Sequence, residues 1–347
     1  MLAKDPVNAP VPPVSLPAEL KTMAAAQQLA KTLYGFVYLW RPTDPAKPAV
    51  IIKRSFFNKF DSVCCFDDPR REITVLRQLS GHPHMIKYYW SQTNRVDKYW
   101  DLHMEYAAGG DMFDATAVTK TGFPEAIAKA YLRQILTGLE FLHVQQQLSH
   151  MDLSLENLLL VDDPNQPITH RRVVFTDFGS TIANKRDYRF LTQMRPGKTH
   201  YQAPEMHIPD PPRYPDEPCN QTTTIPSTTA VDIFAFGVIM FELLVAHPPF
   251  KNVRDKRYDV YFRKFGTVGY LLPAADNTHH ASKEAIRIID WCLQEKPENR
   301  PTVTELLALD YFMISSSSDS KAIAAAAAAV VTVPPVTPIL LEKHVSV

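Results

Sequence analysis

Three residues near the middle of the chain carry the chemistry that is most readily named. Asp152 and Asn157 stand five positions apart in His150-Met-Asp-Leu-Ser-Leu-Glu-Asn157, and Asp177 follows in Thr176-Asp-Phe-Gly179. A carboxylate such as Asp152 can orient a hydroxyl and accept its proton. The amide oxygen of Asn157 and the anionic oxygens of Asp177 are hard ligands of the kind magnesium binds. A proton acceptor beside a divalent cation suits the movement of a phosphoryl group onto a hydroxyl. Asp-Phe-Gly alone is as readily a surface turn; both segments at this separation are not.

Such residues must be positioned by a scaffold, and the flanking sequence predicts one of α+β class. Tyr34–Trp40 and Ala49–Lys53 are β-branched and aromatic runs separated by a Pro-rich turn at 42–48. A helix is predicted from Asp68 or Pro69, with Ile73, Leu76 and Leu79 at helical spacing. Another strand, Leu102–Tyr106, leads into the breaker Gly109-Gly110. Beyond it the period becomes helical: Leu132, Ile135, Leu136, Leu139 and Leu142 make one apolar face, and Ile233–Leu244 is apolar nearly all round, the mark of a buried helix. The pattern is a small strand-rich lobe ahead of a larger helical one.

Bulk composition narrows the classes. The 347 residues are 45% hydrophobic and 21% charged, with equal numbers of acidic and basic residues. Neutral balance gives no reason to expect nucleic acid or a membrane as partner. Cys64 and Cys65 are adjacent while Cys219 and Cys292 stand apart, with neither zinc spacing nor the density of a disulfide scaffold. The proline-punctuated start does not resemble a signal peptide, so a cytoplasmic protein is expected, the nucleus being an alternative. Residues 1–22 read as a disordered Pro-rich tail and 313–347 as a low-complexity tail with Ser and Ala runs. One domain is predicted over 23–312, divided near residue 107 into its two lobes.

The paired segments resemble the catalytic loop and metal loop of eukaryotic protein kinases. Ala203-Pro-Glu205 is similar to the motif that closes the kinase activation segment. Arg300 in Pro297-Glu-Asn-Arg-Pro301 matches the arginine that pairs with its glutamate, and Asp232 matches the aspartate that holds the catalytic loop's backbone. The resemblance covers roughly residues 28–312. It implies a bilobal kinase-like fold, with a small antiparallel sheet and one main helix in the first lobe, and ATP with Mg²⁺ as cofactors. It also implies Asp152 as catalytic base, Asn157 and Asp177 as metal ligands, Lys53 holding the α- and β-phosphates, and Glu72 pairing with that lysine. Ala30, Gly35, Val37 and Ile51 would lie against the nucleotide, Met104, Glu105 and Ala107 would form the gatekeeper and hinge, and Asp111 and Leu159 would complete the site.

The sequence also departs from that family. Ala30 and Thr32 stand where the first two glycines of the phosphate loop belong, and Ile51 occupies a usually small position. Each change weakens nucleotide binding by about 1 kcal/mol, by analogy with overpacking. Met151 replaces the arginine that normally reads a phosphate on the activation segment, which predicts activity without such phosphorylation. Two further changes are coupled. The lysine usually found two residues past the catalytic aspartate is Ser154, and the threonine usually found after the glycine preceding Ala203-Pro-Glu205 is Lys198, following Gly197. A hydroxyl and an ammonium have traded places, so Lys198 is predicted to reach back and do the missing lysine's work with Ser154 as partner. The Pro- and Thr-rich insertion between Glu205 and Asp232 reads as a disordered loop.

Tyrosine kinases usually carry an arginine two or four residues beyond the aspartate, and Ser154 and Glu156 are neither. The resemblance thus implies transfer to serine or threonine of protein substrates. Asp111, Glu156 and Glu242 match positions that bind basic substrate residues. Two rivals stand beside this reading. A non-catalytic pseudokinase scaffold is favoured by Ala30, Thr32, Ile51 and Met151 and opposed by intact Lys53, Glu72, Asp152, Asn157 and Asp177. A small-molecule phosphotransferase is opposed by Ala203-Pro-Glu205 and Arg300.

Overall fold

The computed structural model describes residues 26–44, 46–61, 66–161, 171–185, 187–191, 195–208, 222–253, 266–271 and 281–313. The two tails (Met313 apart), the Cys64-Cys65 pair and Cys219 lie outside the described residues. By contact the chain divides into two units, one holding the residues up to Lys59 and Lys87–Tyr106, the other Phe60–Ile86 and the residues from Ala107.

The first unit is an antiparallel sheet of five strands: β1 (Gln27–Lys31), β2 (Gly35–Trp40), β3 (Val50–Phe56), β4 (Tyr88–Asn94) and β5 (Tyr99–Glu105), in the order β1-β2-β3-β5-β4. The aromatic and β-branched runs predicted as strands are β2, β3 and β5. Strand β1, with two glutamines and a lysine among five residues, owes its form to pairing with β2 rather than to propensity.

Register sorts the residues between two faces, because directly opposed residues project to the same side. Ala30 pairs with Val37, Val37 with Lys53 and Lys53 with Leu102, while Ile51 lies between Leu39 and Met104. These residues therefore share one face. The other face carries a small core of Trp40, Val50 and Ile52 with Ala26, Tyr38 and Tyr89 packed on it. There Arg54 grips buried Asp101 through two hydrogen bonds of 2.7 Å, Gln92 adds a third at 2.9 Å, and the guanidinium lies 3.7 Å from the centre of the Tyr99 ring. A buried carboxylate needs such saturation. Burial drives the neighbouring His103 down to about 4, so it sits in this face uncharged.

A short helix, α1 (Phe57–Asp61), follows β3. In the second unit, helix α2 (Pro69–Leu79) starts as predicted, with Asp68 as N-cap accepting from the Arg70 amide at 2.8 Å and Pro69 in the first turn, where a missing N–H costs nothing. Helix α3 (Met112–Thr119) and helix α4 (Glu125–Glu140) follow, and α4 continues into one π-turn, Phe141–Gln145. Helix α5 (Thr228–Val245) is buried along almost its whole length, and it opens four residues before Asp232, the position at which the sequence places its start. Helices Lys283–Cys292 and Val303–Leu307 pack with these.

Short strand pairs hold the intervening loops: β6 (Leu148–Ser149) with β9 (Ile182–Ala183), and β7 (Leu158–Val161) with β8 (Arg172–Phe175). A third pair corrects the expectation of disorder for the end of the insertion alone, residues 209–221 lying outside the described residues. Thr222–Ile225 of the insertion is a strand, β11, running antiparallel to β10 (Tyr188–Leu191). Arg189 donates twice to the Thr222 hydroxyl, at 3.0 and 2.6 Å. Low hydrophobicity hid this strand, and a partner more than thirty residues earlier supplies its hydrogen bonds.

Candidate active site

The loop after β6 is fixed from beneath by one carboxylate. Asp232, buried in α5, accepts the His150 amide on Oδ2 at 2.7 Å and the Met151 amide on Oδ1 at 2.9 Å, and His143 Nε2 reaches the same Oδ2 at 2.9 Å. Those bonds hold Met151 at a φ of +67°, a left-handed conformation that costs a non-glycine residue roughly 1–2 kcal/mol. The strained turn aims the next residue, Asp152. The Asp152 amide donates to His150 Nδ1 at 3.3 Å, so His150 carries its proton on Nε2 and donates it to the Thr176 carbonyl at 3.0 Å.

Asn157 closes this loop. Its side-chain nitrogen donates to the Asp152 carbonyl at 2.7 Å, and its own carbonyl accepts the Thr176 amide at 3.0 Å. With the nitrogen so engaged, the amide oxygen is the end that can meet a cation. Thr176 leads directly to Asp177, which is 7% exposed and also left-handed, with φ +65°. Residues 178–180 then make one tight turn in which Phe178 is fully buried. A Cβ on Gly179 would fall 1.6 Å from Asp67 Oδ1, so a larger residue there would displace the Asp67 side chain.

Lys198 arrives from the other side of the loop. Its Nζ donates to Ser154 Oγ at 2.7 Å and stands 3.7 Å from Asp152 Oδ1. Gly197 makes this approach possible: its φ is +84°, and a Cβ would press to 2.9 Å on the Met151 carbonyl. Asp152 Oδ1 is buried and has no hydrogen-bond donor among the described residues. A buried acceptor left open in this way is where an incoming hydroxyl can bind.

The segment after Lys198 is anchored firmly. Arg300 makes two 2.7 Å bonds to the two carboxylate oxygens of Glu205, and its remaining donors meet the carbonyls of Ala230, Gln294 and Glu295. All the donors of a buried guanidinium are thus occupied. Between the anchor and the loop lies an acidic cluster. Tyr201 donates to Glu242 Oε2 at 2.6 Å and receives the Leu155 amide at 3.3 Å, while His200 Nε2 lies 3.8 Å from Glu242 Oε1. Burial raises Glu242 to about 8, with the Glu156 charge adding to it and the Tyr201 bond opposing it. Burial likewise lifts Asp111 to about 6, while its Oδ1 caps α3 by accepting the Asp114 amide at 2.8 Å.

The structure thus links Asn157 to Asp152, Lys198 to both Asp152 and Ser154, and sets Asp177 next in sequence to Thr176, whose amide the Asn157 carbonyl accepts. Leu159 lies in β7, bridged to Asp111, and Ala107 precedes the Gly109–Gly110 turn, whose Gly110 amide returns to the Ala107 carbonyl at 3.3 Å. Glu72 is buried in α2. On the five-stranded unit, Ala30, Val37, Ile51, Lys53 and Met104 lie on one face, and the Glu105 amide bonds to the Lys87 carbonyl at 2.9 Å.

Gly35 has a role other than admitting phosphate. The Gly35 amide donates to Thr32 Oγ1 at 3.0 Å, and the Thr32 amide donates to the Gly35 carbonyl at 2.9 Å, so the β1–β2 hairpin closes on itself. A Cβ at Gly35 would lie 1.9 Å from the Arg54 carbonyl of β3. That glycine serves close backbone packing, and Thr32 consumes its amide.

One residue outside the motifs also touches this region. Arg71 donates to the carbonyls of Phe66 and Gly179, both at 2.9 Å. Nothing in the sequence distinguishes Arg71 from a solvent-facing helix arginine.

The site's donors fit a hard divalent cation and its phosphates: an amide oxygen, a carboxylate held in a strained turn, an ammonium and an open buried carboxylate oxygen. A model of the protein kinase domain matches residues 27–312. The chain is 27% identical over 293 residues to mitogen-activated protein kinase kinase kinase 3 of Arabidopsis thaliana, covering 84% of this chain and 42% of that protein. It is 27% identical over 284 residues to CBL-interacting serine/threonine-protein kinase 10 of the same plant, covering 82% and 51%. To the meiosis-specific serine/threonine-protein kinase mek1 of Schizosaccharomyces pombe it is 29% identical over 255 residues, covering 73% and 51%. The matched stretch is therefore about half, or less, of each relative's own length. With the loop held by Asp232, the Glu205–Arg300 pair and a domain match over most of its length, the chain belongs to the eukaryotic protein kinase family.

Proposed function

We propose that this chain is a catalytically active serine/threonine kinase that uses ATP and Mg²⁺ and takes protein substrates. The observation that carries the reading is the arrangement around Asp152: a buried carboxylate oxygen without a donor among the described residues, with Lys198 Nζ 3.7 Å away and tied to Ser154. Asn157 and Asp177 would hold a magnesium ion whose charge would offset that of the phosphates. The chain's own part is to orient and to move a proton. Asp152 Oδ1 accepts the hydrogen of the serine or threonine hydroxyl, which directs the hydroxyl's lone pair toward phosphorus. Lys198 supplies the positive charge near the transferred group. An ammonium 4 Å from a phosphate oxygen is worth about 4 kcal/mol at an effective dielectric near 20.

Asn157 and Asp177 are the residues that would hold the cation, and the nucleotide roles assigned above to Lys53, Glu72 and the hinge belong to the same proposal. The acidic cluster of Glu156 and Glu242 fits a basic residue of the substrate, since such a cation would stabilise both carboxylates. One observation favours the non-catalytic reading instead. The hairpin closed by Thr32 withholds the Gly35 amide from phosphate.

Transfer of labelled phosphate to a generic basic protein, with Asp152→Asn as control, separates the readings. Transfer that the control abolishes supports catalysis. No transfer, together with no metal-dependent thermal stabilisation by millimolar ATP, establishes the scaffold.

A further inference from the structure

One carbonyl of the turn that follows Asp177 is held twice from the start of helix α2. Gly179 O accepts the Asp68 amide at 3.0 Å and the Arg71 guanidinium at 2.9 Å. The same guanidinium nitrogen donates to the Phe66 carbonyl at 2.9 Å, and the guanidinium carbon lies 5.0 Å from the centre of the Phe66 ring. Phe66 in turn meets Tyr188 and Phe190 edge-on, with ring centres 6.0 and 6.3 Å apart. Those two aromatics belong to β10, which the insertion strand β11 pairs along its length. One arginine and one phenylalanine therefore join three segments: the start of α2, the Asp177 turn and the strand beyond it.

We propose that Arg71 is a positioning residue for Asp177, and that the Arg71–Phe66 junction holds this segment in place without any phosphate. Three observations converge on it. Met151, the residue before Asp152, is apolar and 3% exposed, so it offers no cation to a phosphate. One terminal nitrogen of Arg71 donates to two backbone carbonyls, which ties the guanidinium to this junction. The pairing of β10 with β11 supplies backbone hydrogen bonds that a free loop would lack. The inference rests on the kinase reading for its catalytic consequence, but the positioning itself does not require activity.

The test uses the whole chain and reads amide hydrogen exchange over residues 177–183 and 188–191 beside phosphate transfer. Arg71→Ala is expected to speed exchange in both stretches by about tenfold or more, since one removed charged hydrogen bond is worth about a decade. Its kcat falls by a similar factor while KM for the peptide stays unchanged, and Arg71→Lys recovers part of both. Treatment of the wild-type chain with a phosphatase alters neither readout. Phe66→Leu, which leaves the arginine in place, speeds exchange in 188–191 and keeps the variant set informative should Arg71→Ala fail to fold. The proposal is overturned if Arg71→Ala exchanges like wild type. It is equally overturned if phosphatase treatment alone reproduces the Arg71→Ala pattern. A chain with no transfer activity but with the expected exchange pattern retains the positioning role and refutes only catalysis.

Discussion

Lys198 donates to Ser154 at 2.7 Å, across 44 residues of sequence. A search for the usual lysine in the catalytic loop finds a serine and records a defect. In space the ammonium is present, delivered from the later segment. Read together, the two departures form one hydrogen-bonded pair. Removing the ammonium by Lys198→Ala should cost up to about 4 kcal/mol of charge stabilisation, which at 1.4 kcal/mol per decade is a loss of a hundredfold or more in kcat. The double variant Ser154→Lys with Lys198→Thr should recover most of it in the same assay, whereas failure to recover would reject the exchange.

Asp152→Asn removes the proton acceptor and keeps the shape. Phosphate transfer should fall by about 10²–10⁴. Thermal stabilisation by ATP and metal should persist, because Asn157 and Asp177 are untouched. Equal loss of both would assign Asp152 to folding instead.

The Thr32 hydroxyl occupies the Gly35 amide, and the proposed nucleotide site makes that bond testable. Thr32→Val keeps the branched shape and deletes the acceptor that occupies the Gly35 amide. Freeing one donor is worth about 1 kcal/mol, so the KM for ATP should drop roughly fivefold with kcat little changed. A titration in which Thr32→Val binds ATP no better than wild type would dismiss this effect.

Glu242 makes the site sensitive to pH. Burial raises its pKa to about 8, above the ordinary carboxylate value of 4.5, so the folded state prefers the protonated form. The stability this contributes is full below pH 4.5 and is lost as pH rises through 8. Wild-type unfolding temperature should therefore decline between those limits more steeply than that of Glu242→Gln. The groups facing it are Tyr201, His200 and Glu156, and only Glu156 adds acid charge. A basic peptide should bind better as pH rises from 6 to 8.5, while a neutral peptide should not.

Breaking the Glu205–Arg300 pair tests the anchor. Glu205→Gln leaves a buried arginine without its counter-ion, which typically costs about 3–5 kcal/mol. The unfolding midpoint should fall by roughly 5–15 °C. A shift of a degree or two would mean that the backbone carbonyls around Arg300 suffice.

Much of this architecture could be read beforehand because the deciding signals are local. Alternating β-branched and aromatic residues identify β2, β3 and β5, and the Asp68–Pro69 start locates α2. The chemistry-bearing residues are legible for a related reason: Asp152, Asn157 and Asp177 sit in short segments whose spacing is fixed by the turns they make. What escaped depends on partners distant in sequence. Strand β11 is four residues of Thr and Ile whose identity as a strand comes from β10. The role of Gly35 comes from the backbone of β3, and that of Arg71 from a carbonyl 108 positions away. Such roles have no periodicity to betray them.

The doubly held Gly179 carbonyl also bears on which small molecules this chain can accept. A ligand that gains by expelling Phe178 from its buried seat must drag the neighbouring glycine away from both the Asp68 amide and Arg71. A ligand that leaves the phenyl ring seated breaks neither bond. Inhibitor screens against this chain should be enriched in the second kind.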